Sequence, residues 1–168
     1  MKIKSLIFKG SFLLISLLFC SSIYVQSIPE VSKKDTKTRA CLIEVLAHEA
    51  LNQPVKGQMA VLDVIQNRVQ DKRFPDTICK VVHASKQFSY RNHLKAGMSK
   101  PVNFKNHVDK IAVKRIENLV DFFLQGNYTP VLSSKVLWYT RTEVQTVWMK
   151  KLKTEAILGS HKFLKEVI

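Results

Sequence analysis

The chain has 168 residues, 46% of them hydrophobic and 24% charged, with 27 Lys and Arg against 13 Asp and Glu and a formal net charge of +14 at pH 7. That length suits one domain behind a leader, and that apolar share supports a packed core, which excludes a disordered chain. The basic balance asks for polyanions as partners, but the lysines are scattered and form no aromatic-interleaved block, so nucleic acid is not expected.

Residues 1–27 read as a secretory signal. Lys2, Lys4 and Lys9 form a basic start, residues 11–20 a short apolar core, and Ser21, Ser22 and Ser27 follow. The apolar run is short for a spanning helix, so membrane contact is expected only through this leader, cleaved or kept as an anchor. Phe19 before Cys20 argues against a lipoprotein site, which needs a small residue there. Without the leader, 24 basic and 13 acidic side chains leave +11. An exported protein with that charge meets anionic lipids, wall polymers and peptide carboxylates. Residues 28–38 read as a polar linker and residues 39–168 as the functional domain.

The first helix is expected over residues 37–51, with Asp35 or Thr36 as its cap and Asn52-Gln53-Pro54 as its breaker. Glu49 lies near its end. Leu42, Val45 and Leu46 stand seven, four and three residues before it, which puts the carboxylate on the apolar face. By itself a glutamate at a helix end is more often exposed or salt-bridged. At the edge of an apolar stripe it is partly desolvated, holds a proton near neutral pH and can serve as a general acid. Glu44 is expected to pair with His48 on another face.

A second helix is expected over residues 55–70. Apolar residues wrap most of it, so it should be central, with Lys56, Asp63, Gln66 and Gln70 as a solvated stripe. Residues 72–76 make a turn, and Asp76 or Thr77 caps a short helix to about residue 84. Residues 87–101 read as a loop. A long helix over residues 104–125 stops at Gly126. Residues 136–139 and 144–149 are rich in β-branched and aromatic side chains and either suits a strand, as does 157–164. The sum is a helical core with a small C-terminal β region, class α+β.

Cys41 and Cys79 fall on separate helices. In an oxidising compartment they either pair or remain two small buried thiols, and the residues alone leave both open. No Cys-x-x-Cys or His-Glu-x-x-His spacing occurs, and His48, His83, His93, His107 and His161 are dispersed. No metal or other cofactor is expected.

Several short motifs follow in order: Glu49-Ala50, Gly57-Gln58, Ala60-Val61, Asn67-Arg68-Val69, Phe74-Pro75, Cys79-Lys80-Val81-Val82 and Gln87-Phe88-Ser89. Tyr139, Val144, Trp148 and Gly159-Ser160-His161-Lys162-Phe163 complete the set. No one of them is specific, but the ordered set resembles the cell-wall hydrolase family of the spore cortex-lytic type. It departs at Leu51-Asn52-Gln53, where Arg-Gly-Glu is usual, at Trp138 and Thr140, where histidines often flank the tyrosine, and at Thr146, where a proline is common.

The resemblance implies a lysozyme-like fold, a monomer acting on peptidoglycan glycan strands, and Glu49 as the proton donor. It favours a Cys41–Cys79 disulfide. It implies hydrogen bonds from Gln58, Asn67, Gln87 and Ser89 to N-acetyl or hydroxyl groups. Phe88, Tyr90, Trp138 and Tyr139 are then expected to stack on sugar faces or pack in the core. Arg68 would support Glu49 or a helix end, and His161 would be a structural hydrogen-bonder or line the cleft. A hydrolase needs a second carboxylate, for which Glu143 is the least excluded; a lytic transglycosylase needs only one. A non-catalytic wall-binding module is the alternative outside enzymology.

Overall fold

The computed structural model describes residues 33–167, so the leader and residues 28–32 of the linker lie outside the described residues. Helix α1, Lys33–Glu49, starts earlier than its apolar pattern implies. Asp35 sits inside its first turn, where a carboxylate meets the positive end of the helix dipole. The end of the expected linker is therefore helical, and neither Asp35 nor Thr36 is a cap. Leu42, Val45 and Leu46 are fully buried, as their spacing requires.

Helix α2, Val55–Gln70, has the predicted bounds and fills the centre. Ala60, Val61, Leu62, Val64 and Ile65 share one core with buried residues of α1, the short α3 (Ile78–Val82), and Ile116 and Val120 of α4 (His107–Leu124), which packs on α1. Asn106 accepts the Asp109 backbone N–H and starts α4 three residues after Phe104, which instead packs on the core. The left-handed Gly126 follows the C-terminal end of α4.

Of the expected stripe on α2, Lys56 and Gln70 are exposed and Gln66 partly so, but Asp63 is not solvated. Asp63 is buried and accepts hydrogen bonds from Tyr128 Oη at 2.7 Å and from the Val131 and Leu132 N–H groups at 2.8 and 2.9 Å. Asn67 Nδ2 donates to the Ser133 and Val136 carbonyls, both at 2.9 Å, and Arg68 Nε donates to the Leu137 carbonyl at 2.8 Å. One helix thus satisfies the backbone of the segment that enters the sheet, groups that would be costly to bury unpaired.

The sheet is antiparallel in the order β1–β3–β2, with β1 Val136–Arg141, β2 Leu152–Leu158 and β3 His161–Glu166. Residues 144–149 do not form a strand. A 3₁₀ turn, Val147–Lys151, leads into β2 instead. Residues 157–164, expected as one strand, are a hairpin turning at Gly159 (φ +62°). A side chain there would meet Pro54 Cδ at 2.7 Å. The close approach lets Gln53 accept the Ser160 N–H at 2.9 Å and donate to Ser160 Oγ at 2.8 Å, which ties the α1–α2 turn to the hairpin.

Cys41 of α1 and Cys79 of α3 form a disulfide, with Cα atoms 5.5 Å apart. Nearby, Glu44 is buried and accepts from Arg91 Nη1 at 2.8 Å and Tyr90 Oη at 3.1 Å, with His83 Nε2 at 3.2 Å. Its partners are these, not His48. They hold the 83–98 loop against α1.

Candidate active site

Glu49 ends α1 where the helix, the 87–91 loop and β1 converge. Its carboxylate is partly buried. Ser89 Oγ donates to Oε1 at 3.4 Å and Tyr139 Oη to Oε2 at 3.3 Å, and the Tyr90 backbone N–H adds a third bond. Burial raises its pKa above the ordinary carboxylate value; these bonds and the Arg141 charge oppose the rise without cancelling it. Burial beside Glu49 holds the Tyr139 phenol well above its usual range, so it remains a donor. Burial also lowers the pKa of His48 and of His161, which favours neutral imidazoles.

These groups line one cleft of about 350 Å³. Glu49, His48 and Arg68 come from the helices, Gln87, Phe88 and Ser89 from the loop. Tyr139, Thr140, Arg141, Val144 and His161 come from the sheet side. Glu49 is the one acidic side chain in this wall. Arg68 lies in the floor, its guanidinium 5.3 Å from the Phe74 ring centre and 5.6 Å from that of Phe88. His48 Nε2, Arg68 Nη1 and His161 Nδ1 are buried with no hydrogen-bond partner among the described residues, so the wall has polar capacity that the protein does not use. Among the described residues no three His, Cys, Asp or Glu side chains converge as metal ligands.

The family model of the cell wall hydrolases matches residues 52–164. The chain belongs to the cell wall hydrolase family. It is accordingly an enzyme, although the matched span begins after Glu49, whose place in the cleft rests on geometry. The fold is similar to two solved structures. One is the catalytic domain of SleB from Bacillus cereus, at 22% identity and TM-score 0.51, covering 82% of this chain and 95% of that one. The other is the catalytic domain of the germination-specific lytic transglycosylase SleB from Bacillus anthracis, at 21% identity and TM-score 0.52, covering 82% and 100%. No curated protein sequence matches the chain.

Of the residues expected in the hydrolase site, the structure brings Glu49, Arg68, Gln87, Phe88, Ser89, Tyr139 and His161 to the cleft. Gln58 and Asn67 do not reach it. The Gln58 amide donates to the Ala50 carbonyl at 3.0 Å and closes the end of α1, and Asn67 is held by the strand entry. Neither is positioned to meet a sugar. Tyr90 is no stacking platform: its ring lies on His48 at 4.6 Å and its hydroxyl on Glu44. Phe88 is only 3% exposed and forms floor, not a sugar-facing surface. Tyr139 packs its ring on His161 and Phe163, at 5.3 and 5.7 Å, and turns its hydroxyl to Glu49. Trp138, its neighbour on β1, lines a different hollow.

Glu143, the second-carboxylate candidate, is exposed, lies 3.9 Å from Arg141 Nη1 and is absent from the cleft wall. Sequence reasoning missed His48, Thr140, Arg141 and Val144. Arg141 carried a signal, since it stands two residues after Tyr139 on one strand and so shares its face. His48 carried none, because what covers a helix end is decided by a distant loop.

Proposed function

We propose that the enzyme cleaves peptidoglycan glycan strands between N-acetylmuramic acid and N-acetylglucosamine by lytic transglycosylation. The observation that carries this is the single carboxylate of the cleft. Glu49, protonated through burial, gives its proton to the glycosidic oxygen as the C–O bond breaks. The anomeric carbon gains oxocarbenium character. Hydrolysis would then require a second carboxylate to activate water or to attack. In transglycosylation the C6 hydroxyl of the same muramyl residue attacks the anomeric carbon, and Glu49, now ionised, accepts its proton. The nucleophile is already tethered, so its effective concentration is high and one carboxyl group serves twice. Atoms balance without water, and the product is a 1,6-anhydro ring.

Ser89, Tyr139 and the Tyr90 N–H suit the middle of this cycle. They donate to the ionised form of Glu49 and orient its two oxygens. Gln87 and Arg141, which line the cleft, would hydrogen-bond N-acetyl and hydroxyl groups of the strand. Export is part of the proposal: the leader and the Cys41–Cys79 bridge both suit an oxidising compartment.

Incubation with purified peptidoglycan followed by mass spectrometry tests the reaction. Muropeptides one water lighter than hydrolytic products are expected. Reducing ends would replace transglycosylation with hydrolysis. Binding without release, unchanged in Glu49→Gln, would reduce the protein to a wall-binding module.

A further inference from the structure

The chain has two tryptophans, Trp138 and Trp148, and both line one hollow of about 400 Å³ away from the cleft. Successive residues of a strand point to opposite faces, so Trp138 turns away as Tyr139 turns in. Trp148 stands on the 3₁₀ turn and is 50% exposed. Lys151, Leu152, Glu166 and Val167 complete the wall. Leu152 also borders a second hollow of about 520 Å³, whose wall includes Gln145, Thr146, Lys150 and Thr154. The two hollows share Leu152; the indoles line the first, and the second mixes hydroxyl, amide and ammonium groups with Val147, Met149 and Leu164.

Its charge is one-sided. Glu166 is tied to Arg73 Nη1 at 2.7 Å, and the Arg73 guanidinium lies 5.6 Å from the Trp138 ring centre. Lys150 and Lys151 are exposed, and no acidic side chain among the described residues pairs with them. Aromatic faces suit the C–H faces of pyranose rings, adjacent amides and hydroxyls suit their substituents, and free ammonium groups suit carboxylates. A bilayer would be met by an unbroken apolar surface, whereas here the apolar side chains alternate with hydroxyl, amide and ammonium groups in two hollows.

We infer that the Trp138–Trp148 depression is a second glycan-binding site, which holds a stretch of peptidoglycan outside the cleft by stacking its sugars on the indoles and pairing its stem-peptide carboxylates with Lys150 and Lys151. The inference rests on the proposed substrate, not on the proposed chemistry. Such a site keeps the enzyme on an insoluble polymer between cuts and favours long strands over short ones.

Because both tryptophans lie there, emission excited at the red edge, where tyrosines do not absorb, originates at this site. The test titrates full-length Glu49→Gln protein, which cuts nothing, with soluble uncross-linked peptidoglycan strands released by an endopeptidase. A saturable emission change is expected, weakened about tenfold by adding Trp148→Ala and several-fold by adding Lys150→Ala with Lys151→Ala. Trp148→Ala alone should slow cleavage of whole sacculi while leaving turnover of a short soluble strand within about twofold. The inference is overturned if the strands leave emission unchanged, if polyglutamate or anionic lipid vesicles produce the same change, or if Trp148→Ala slows short strands as much as sacculi. Emission that titrates in Glu49→Gln while the parent protein cleaves no peptidoglycan would sink the proposed reaction and leave this site standing; cleavage by the parent with no emission response in Glu49→Gln would do the reverse.

Discussion

Glu44 and Glu49 lie five residues apart on one helix, and their surroundings give them opposite tasks. Glu44 is 5% exposed and is neutralised by the Arg91 guanidinium, with Tyr90 and His83 filling the remaining acceptor sites. A carboxylate so paired joins a loop to a helix. Glu49 receives a serine, a phenol and one backbone N–H, and no salt bridge. Neutral donors offset only part of the desolvation, so its proton affinity rises. A buried cation within hydrogen-bond reach makes a carboxylate structural, and its absence leaves the same residue able to exchange protons.

The largest break in this contrast is Glu49→Gln. It should lower turnover on peptidoglycan about 10³-fold, equivalent to about 4 kcal/mol, while thermal unfolding stays close to that of the parent. Loss of the Cys41–Cys79 bridge, in Cys41→Ala with Cys79→Ala, should cost stability of about 4 kcal/mol for a loop of this length. Denaturant unfolding measures it. The bridge anchors the Glu44 side, so the pH profile of whatever folded enzyme remains should not move. Glu44→Gln strands Arg91 without a counter-charge and should cost about 3 kcal/mol in the same assay. Its activity should track the folded fraction.

The smaller effects sharpen the comparison at Glu49 itself. The acid step needs the protonated form, so activity falls as pH rises through the raised pKa. Tyr139→Phe removes a donor that stabilises the ionised form, and the alkaline limb should move to higher pH, with neutral-pH turnover reduced several-fold by lost orientation of the base. Ser89→Ala should move the limb the same way by less, because its bond is longer, at 3.4 Å against 3.3 Å, and more exposed. A downward shift in either variant would refute the assigned direction of the hydrogen bonds.

Legibility followed the kind of interaction. The bounds of α2 and the placement of Glu49 beside Leu42, Val45 and Leu46 were readable, because apolar periodicity records which face is buried. Asp63, Gln58 and Asn67 were misread. Polar residues on a helix look alike in sequence whether they meet water or the backbone of another segment, as Asp63 does at the Val131 and Leu132 N–H groups, Gln58 at the Ala50 carbonyl and Asn67 at the Ser133 and Val136 carbonyls. Residues 144–149 carry strand-forming side chains yet lie outside the sheet, since propensity sets a strand only where the chain meets a pairing partner. Phe88 and Tyr90 were recognised as belonging to the site region, but which faces they offer depended on Arg68 and His48 packing against them.

The order of residues alone determined the helical core, the turn points and the one carboxyl group set into an apolar face, because these follow from side-chain period and local backbone preference. Only the tertiary structure decided that Glu49 stands in its cleft without a second acid, that Glu44 is spent on Arg91, and that the two tryptophans share a hollow. Those outcomes depend on which distant segments meet, and hydrogen-bond partners and desolvation exist only once they have met.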